Sequence, residues 1–377
     1  MDKNHFVGAI LMDLSKAFDC LPPELILEKL RAYGLAESAI DLLKSYLSHR
    51  RQCIKIGNTS STFLSLTKGV PQGSILGPLL FNIFINDIFL CVNKTKLFNY
   101  ADDNTLSYAH ANYQCLKQTL ESESESLIEW FTNNQMQANP DKFQALAVGE
   151  RTQDKIPAFS ISNIDIKCDE TVKLLGVDID FRLSYDQHLA ALCKKSSRQL
   201  NVLIRIGKYL TLEGRKAIYH AFIMSNFNFC PLVWHFCKKS ASDKLEKINF
   251  RALKFVYQDF DTPYENLLSR EGTPSLHLGR LRKIAIETFK IIHDNSPPYL
   301  KDLVDVKTSN YSFRNKNVLD TKRFRTKRYG HNSFKYAAPN IWNSLPQECR
   351  AAVDIKTFKT LLNTWCGSEC KCALCKK

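Results

Sequence analysis

The sequence predicts an α+β fold, in which the first 180 residues form a mixed domain and the rest of the chain is mainly helical. Three observations support this prediction. Short apolar runs of strand character alternate with amphipathic helical patterns up to about residue 180. From about residue 185, helical periodicity prevails and Gly or Pro marks the loops. The 377 residues suffice for two or three domains, and the chain has no internal repeat.

The predicted elements follow the chain in a mixed order. Phe6 to Met12 is a strand, and Pro22-Pro23 begin a helix that Gly34 ends. The turn Gly57-Asn58-Thr59 joins two strands, and the acidic run from Glu121 to Glu125 is expected to be a solvated helix face. The further strands are Gln52–Ile56, Thr62–Thr67, Lys96–Tyr100, Thr105–Tyr108, Phe143–Val148 and Val172–Val177, and the further helices are 40–47, 79–89, 113–135, 185–206, 212–224, 240–258 and 276–293.

The composition is that of an ordinary globular protein, with 44% hydrophobic and 24% charged residues. Its apolar runs stay below the ~18 residues that a membrane span needs. The apolar stretch near the N-terminus lacks a small-residue cleavage site, so secretion is not expected. We therefore expect an intracellular protein, in the nucleus or cytoplasm, whose 13 cysteines are mostly thiols.

Charge is distributed unevenly along the chain. Residues 1–180 include 17 basic and 22 acidic residues, a net charge of −5, whereas residues 181–377 include 35 and 16, a net charge of +19. The basic half predicts a polyanionic partner, because Lys and Arg gain affinity by releasing counterions from phosphates. A basic surface that serves solubility is the alternative.

Three aspartates are the main candidates for chemistry. Asp13 follows the strand at Phe6 to Met12, and the pair Asp102-Asp103 lies at the tip of the predicted hairpin of Lys96–Tyr100 and Thr105–Tyr108. Ionised carboxylates that converge at strand ends repel one another and need a cation. Oxygen ligands without His or Cys favour Mg²⁺ or Mn²⁺ over zinc, and two such ions can catalyse nucleotidyl transfer. An Asp-Asp pair also occurs in ordinary surface turns, so its context decides.

A glycine-rich loop supplies that context. Gly69 to Phe81 contains three glycines and two prolines and leads into a helix, Leu79 to Phe89, that is apolar on most sides and predicted to be buried. The exposed amides of this loop and the Gln72 side chain suit a sugar, a base edge or a phosphate. A plain turn with a helix cap is the alternative.

These segments resemble the motifs of reverse transcriptases, in the usual order. The matching segments are Asp13 to Phe18 for motif A, Gly69 to Phe81 for motif B, Tyr100 to Asp103 for motif C, Asn139 to Lys142 for motif D and Lys173 to Val177 for motif E. Motifs A and B are most similar to those of non-LTR retrotransposons of the jockey and CR1 type. Tyr336 to Pro346 resembles the C-terminal region of the same elements, so the resemblance covers nearly the whole chain.

The resemblance implies a right-hand polymerase architecture. Residues 1–180 would be the palm, residues 181–295 a helical thumb, and residues 296–377 a basic C-terminal region. The implied activity is RNA-directed DNA synthesis by a LINE-like mobile element. The implied partners are an RNA template, a DNA primer and deoxynucleoside triphosphates, and the implied cofactors are two Mg²⁺ or Mn²⁺ ions.

The resemblance also assigns roles to residues. The metal ligands would be Asp13, Asp102, Asp103 and the backbone of Leu14. Phe18 would exclude a ribose 2′-hydroxyl, Gln72 and Gly73 would contact the incoming nucleotide, and Lys142 would protonate the departing pyrophosphate.

The sequence departs from the family in two respects. Met1 to Met12 are the residues before Asp13, so most of the fingers are expected to be missing, and Ala138 and Phe143 differ from the residues usual around motif D. Two alternatives therefore stay open. One is a catalytically inactive or domesticated remnant that binds nucleic acid, and the other is a different two-metal palm enzyme, such as a cyclase.

The C-terminal cysteines form a separate candidate site. Cys366, Cys370, Cys372 and Cys375 are close enough in sequence for zinc, but their spacing is not that of a standard finger or knuckle. A loosely ordered, thiol-rich tail is the favoured interpretation. The oligomeric state is left open by the sequence.

Overall fold

The computed structural model describes residues 2–148, 158–307 and 317–367. The chain divides into two compact units, Lys3–Gly176 and Val177–Lys377, and Asp2 groups with the second. Strands and helices mix in the first unit and helices prevail in the second, which confirms the predicted α+β class. The three-part division at residues 180 and 295 stays a prediction.

A four-stranded antiparallel sheet organises the first unit. Its strands lie in the order β6 (Lys96–Tyr100), β7 (Asp103–His110), β1 (Phe6–Met12) and β8 (Gln144–Val148). The predicted strand after the N-terminus and the predicted hairpin are therefore confirmed. Since β1 is a central strand, its C-terminal end is held on both sides.

The long helix α5 (Tyr113–Asn133) packs on this sheet. Its Leu116 and Leu120 are fully buried. A Cβ atom at Gly8 of β1 would lie 2.5 Å from Leu120 Cδ1 and 2.9 Å from Leu116 Cδ2, so glycine permits the close approach. Ile10 and Met12 of β1 belong to the same hydrophobic core.

The acidic run of α5 is not the solvated face that the sequence predicts. The Glu123 carboxylate is buried and accepts hydrogen bonds from the backbone amides of residues 93–95, at 2.8–3.1 Å, and from Thr95 Oγ1. The other two glutamates of the run also bind amides, Glu121 that of Ser160 and Glu125 that of Ser162. These carboxylates therefore fasten the segments before β6 and after β8 to the helix.

The apolar helix is shorter and more exposed than predicted. It spans Leu76–Ile85 (α4) and continues as a 3₁₀ helix, Asn86–Cys91. Phe81 is fully buried, but Leu79 is 53% exposed and Ile75, just before the helix, is 95% exposed. The prediction of a buried helix is correct for the side that carries Leu80, Phe81 and Phe84 and wrong for the side that carries Leu76 and Leu79, which faces solvent.

A narrow ribbon, residues 51–67, lies between α3 and α4. Its outer strands are β2 (Arg51–Gln52) and β5 (Leu64–Ser65), which pair, and its inner strands are β3 (Lys55–Ile56) and β4 (Thr59–Ser60), which also pair. The predicted turn at Gly57-Asn58 is confirmed, but the ladder is broken into two short pieces. We refer to this segment as the 51–67 ribbon.

The remaining elements of the first unit are short. They are α1 (Ala17–Cys20), α2 (Pro23–Ala32), α3 (Glu37–Leu47), β9 (Ala158–Ile161), β10 (Ile164–Lys167) and β11 (Thr171–Leu174). The helix begun by Pro22-Pro23 ends at Ala32, just before Gly34, as predicted. Its buried face is Ile26, Leu27 and Leu30.

In the described part of the second unit, β12 (Val177–Asp180) is the one strand and helices predominate. Its helices are α6 (Asp186–Ile206), α7 (Leu212–Ile218), a π-helical segment Tyr219–Met224, α8 (Ser225–Asn228), α9 (Lys239–Tyr257), α10 (Tyr264–Glu271), α11 (Leu276–Ile292), α12 (Phe334–Ser344), α13 (Gln347–Arg350) and α14 (Ile355–Leu362). Trp234, Leu245 and Leu253 lie in one apolar cluster, and Phe289 and Trp342 lie in another. None of the described helices combines the length and apolar character that crossing a bilayer requires.

Candidate active site

The ends of β1 and β7 bring two of the predicted aspartates together. Met12 pairs with Asn104 in the antiparallel register, so Asp13 and Asp103 are the next residues at the same end of the sheet. Met12 and Asn104 are buried. Because side chains alternate along a strand, Asp13 and Asp103 point to the opposite face, where Asp13 is half-buried and Asp103 exposed.

The turn between β6 and β7 presents Asp102 beside Asp103. The strand pairing leaves a two-residue turn, Ala101 and Asp102. Ala101 has a φ of 52°, a left-handed conformation that costs an L-residue roughly 1–2 kcal/mol. The side-chain Nδ2 of Asn99 donates to Ala101 O at 2.8 Å, and the side-chain Nδ2 of Asn104 donates to Asp102 O at 3.0 Å. These two asparagine side chains thus brace a turn in which an alanine takes the left-handed conformation.

The pKa of Asp103 reports the crowding of the three carboxylates. Partial burial, and then the negative charges of Asp102 and Asp13, raise the pKa of Asp103 above its ordinary value. The three side chains thus disfavour one another when all are ionised. A cation bound among them would relieve this repulsion.

Lys142 lies against the first aspartate, and its role in proton transfer stays a prediction. Its Nζ is 3.1 Å from Asp13 Oδ2, and both side chains are more than a third exposed, so the ion pair contributes at most about 1 kcal/mol. The backbone joins the two segments more firmly. Ser15 N donates to Gln137 O at 3.0 Å, and Asn139 N donates to Asp13 O at 3.3 Å.

A pocket of about 560 Å³ opens at this end of the sheet. It is lined by the ends of β1 and β7, by residues 141–144, and by Asp169, Lys173 and Leu174. Asp169 and Lys173 are not among the predicted site residues. The Asp169 amide donates to Ala145 O at 2.8 Å, which draws this aspartate to the edge of β8. That contact has no local sequence pattern from which it could be predicted.

The glycine-rich loop packs against the short helix α1. Gly69 N donates to Leu21 O at 2.7 Å, and Val70 N donates to Phe18 O at 3.0 Å. Gly69 has a φ of 85°, and a Cβ atom there would lie 2.9 Å from Asp19 Cα and O. Glycine is therefore required at this position, both for its backbone conformation and for the close approach.

Phe18 and Gln72, two predicted nucleotide-binding residues, are held in place by neighbours. The Phe18 ring stacks on Phe81 with centroids 4.4 Å apart and an interplanar angle of 27°. Gln72 Nε2 donates to Asp19 Oδ1 at 2.7 Å. Gly73 has a φ of 77°, and no described atom lies within 4 Å of where its Cβ would be. The loop backbone at Gly73 is thus open to a ligand.

The three aspartates have the ligand atoms that a hard divalent cation prefers, but their carboxylates are not arranged around one point. Asp13, Asp102 and Asp103 offer carboxylate oxygens alone, which suits Mg²⁺ or Mn²⁺. Within residues 2–148, 158–307 and 317–367, however, no three Asp, Glu, His or Cys side chains are placed to hold one ion together. Asp13 is paired with Lys142 instead. Metal binding therefore requires these carboxylates to turn toward a common point.

The zinc prediction falls mostly outside the described residues. Cys370, Cys372 and Cys375 lie there, and the fourth cysteine, Cys366, is exposed. No disulfide forms among the cysteines that the structure describes.

Residues 3–179 match the family described as "Reverse transcriptase (RNA-dependent DNA polymerase)". The matched residues include every predicted catalytic residue. Members of the family are polymerases and generally use divalent metal ions.

The more specific resemblance is to polymerases of jockey-type non-LTR retrotransposons, as the motifs predict. The chain is 26% identical over 275 residues to "Probable RNA-directed DNA polymerase from transposon BS" and 23% identical over 266 residues to "RNA-directed DNA polymerase from mobile element jockey", both of Drosophila melanogaster. These matches cover 70% and 68% of this chain but 30% and 29% of the relatives. The chain thus spans less than a third of the length of these curated relatives.

A similarity to solved structures was also found. The telomerase of Candida albicans, in complex with a fragment of telomeric RNA, is 12% identical to this chain with a TM-score of 0.37. The match covers 71% of this chain and 51% of the telomerase chain.

Proposed function

We propose that the chain is the RNA-directed DNA polymerase of a LINE-like mobile element, which extends a DNA primer with deoxynucleoside triphosphates along an RNA template. The observation that carries this proposal is the register of β1 and β7, which sets Asp13 beside Asp103 and next to Asp102. The family match over residues 3–179 and the jockey-type relatives support it.

In this proposal, Asp13, Asp102, Asp103 and the Leu14 carbonyl oxygen hold two Mg²⁺ or Mn²⁺ ions. The chemistry that such ions would supply is activation of the primer 3′-hydroxyl and stabilisation of the leaving pyrophosphate. The Leu14 side chain is 3% exposed, so its burial fixes the backbone that follows Asp13.

The nucleotide would lie against the glycine-rich loop. Phe18, stacked on Phe81, would exclude a ribose 2′-hydroxyl and so select deoxynucleotides. Gln72, oriented by Asp19, and the open backbone of Gly73 would contact the incoming nucleotide.

Lys142 would donate the proton to the departing pyrophosphate. Its ammonium group is 3.1 Å from Asp13, so it starts within the acidic cluster, where a positive charge is stabilised. Lys142 stands at the rim of the pocket that the aspartates line, which suits contact with a phosphate.

A second candidate function is nucleic-acid binding without catalysis. The net charge of +19 over residues 181–377 favours it, because such a surface binds phosphates whether or not the aspartates act. An intracellular location, in the nucleus or cytoplasm, stays a prediction under either function.

Primer extension separates the two functions. The assay uses an RNA template, a DNA primer, deoxynucleoside triphosphates and Mg²⁺, and compares the chain with Asp102→Asn. Template-dependent extension that the substitution abolishes supports the polymerase. RNA binding of both proteins with no extension by either would leave nucleic-acid binding as the function.

A further inference from the structure

The 51–67 ribbon is exposed on both faces. Four of its large apolar side chains are exposed to solvent, at 69% for Ile54, 77% for Ile56, 64% for Phe63 and 67% for Leu64. An isolated two-stranded hairpin is only marginally stable in water, and a cluster of exposed apolar side chains usually marks an interaction site. The ribbon therefore has the character of a surface that a partner completes.

The root of the ribbon is fixed to the loop beside the candidate active site. Arg50 Nη2 donates to the carbonyl oxygens of Lys68 and Gly69, and Arg50 Nε donates to Leu47 O at 3.1 Å. Gly69 in turn is bonded to Leu21 of α1. One arginine thus clamps the two ends of the ribbon to the loop that carries Gln72.

The charge of this region identifies the partner's chemistry. Between Leu42 and Asn86 the chain has five Lys or Arg residues and no Asp or Glu, although residues 1–180 as a whole carry a net charge of −5. The Arg51 guanidinium lies over the Phe63 ring, 5.7 Å from its centroid. Cations interleaved with exposed apolar and aromatic side chains fit a strand of alternating phosphates and flat bases.

We propose that the 51–67 ribbon binds single-stranded nucleic acid, with Arg51 and Lys55 on phosphates and Phe63 stacked on a base. This inference rests on the proposed function for the identity of the strand, which would be the unpaired RNA template. A protein partner would satisfy the apolar side chains but would need acidic groups of its own to satisfy the cations. In a nucleic acid, every nucleotide supplies a phosphate for the cations and a flat base for the apolar side chains.

The test measures binding of the full chain to a short fluorescein-labelled single-stranded RNA by anisotropy, in EDTA, across a series of salt concentrations. Arg51→Gln with Lys55→Gln should make the slope of log K against log salt shallower by about 1.4, because each lost phosphate contact on a single strand removes about 0.7. Phe63→Ala should weaken binding about tenfold, the effect of losing one stacked base. The difference in slope between the variant and the original chain reports the contacts of the ribbon alone, even though residues 181–377 carry most of the positive charge.

Matched controls come from the same unit. Lys167→Gln removes an exposed cation of β10 and Phe89→Ala removes an exposed ring of the 3₁₀ helix, and both should bind RNA like the unaltered chain. Because the ribbon residues are exposed, the thermal unfolding midpoints of all variants should match that of the original chain.

Two results would overturn the proposal. One is RNA binding by the ribbon variants with unchanged slope and affinity. The other is a ribbon-dependent shift between self-associated and monomeric chain in sedimentation, with RNA binding unchanged, which would make the ribbon a protein interface. Since binding is measured without metal, a chain that fails primer extension still gives a valid answer about the ribbon.

Discussion

The first unit contains two sets of three carboxylates that differ in what surrounds them. Glu123, at the centre of the α5 run, accepts hydrogen bonds from three backbone amides and a threonine hydroxyl. Asp103, at the centre of the strand-end cluster, faces Asp102 and Asp13. The two central carboxylates accordingly differ in the direction of their pKa shifts.

The opposite directions have definite causes. Burial tends to raise the pKa of Glu123, but its hydrogen bonds from Thr95 and from the backbone amides outweigh burial and lower it. For Asp103, burial and two neighbouring negative charges act together and raise the pKa. A carboxylate such as Glu123, which accepts hydrogen bonds from backbone amides and a hydroxyl, has a structural role. A carboxylate such as Asp103, whose neighbours are also acidic, still requires a cation, and this requirement marks a candidate functional site.

The largest expected effect is on activity. Asp13→Asn should lower primer extension by more than about 100-fold, because it removes a ligand whose loss cannot be compensated within the cluster. Steady-state extension on an RNA template is the measurement. Asp41→Asn, an exposed aspartate of α3, is the matched control and should keep full activity. Equal activity of both variants would remove the distinction between the two carboxylate sets.

The next effect is on stability, and it belongs to the other set. Glu123→Ala should lower the free energy of unfolding by about 2–3 kcal/mol, because buried amides lose a charged acceptor. Urea denaturation followed by circular dichroism measures it. Glu129→Ala, at an exposed position of the same helix, should change stability by less than about 0.5 kcal/mol. A similar loss from both would mean that the hydrogen bonds that Glu123 accepts from the amides of residues 93–95 are not the cause of the loss.

The pH dependence should separate the two central carboxylates by sign. Because the folded pKa of Glu123 is lowered, its contribution is present above the ordinary Glu value of about 4.3 and is lost as pH falls through the lowered folded value. Because the folded pKa of Asp103 is raised, its ionisation lowers stability as pH rises above the ordinary Asp value of about 3.9. Denaturation from pH 3 to pH 7, comparing Glu123→Gln and Asp103→Asn with the original chain, measures both.

The smallest effect is a gain. In EDTA at neutral pH, Asp103→Asn should raise the melting temperature slightly, because it removes one of three repelling charges. Glu123→Gln should lower it under the same conditions. If Asp103→Asn instead lowers the melting temperature, Asp103 is held by favourable contacts and resembles the structural set.

The strand-end site was largely predictable from the sequence, because its positions follow from local patterns. The apolar run before Asp13 and the hairpin around Asp102-Asp103 specify a strand end and a turn by periodicity alone. The register that sets Asp13 beside Asp103 is a long-range property, yet a buried central strand leaves little freedom in it.

The residues that the sequence left unpredicted depend on partners far along the chain. Glu123 looked like a solvated charge because its acceptor role involves residues 93–95, about 30 positions away. Asp169 is brought to the edge of β8 by the hydrogen bond from its amide to Ala145 O and by the bridge between Cys168 and Ala145.

The left-handed conformation at Ala101 is a local feature, held by the side chains of Asn99 and Asn104. It was not predicted because intrinsic propensities favour Gly, Asn or Asp in that conformation.

Thermal unfolding with and without Mg²⁺ tests the central claim, that the strand-end aspartates form a cation site, most directly. We expect Mg²⁺ to raise the melting temperatures of the original chain and of Glu123→Gln, with the logarithm of its concentration once that exceeds Kd, and we expect Asp13→Asn and Asp102→Asn to lose this increase. An equal increase in all four proteins would place the ion elsewhere. No increase in any of them would contradict a cation site at Asp13, Asp102 and Asp103.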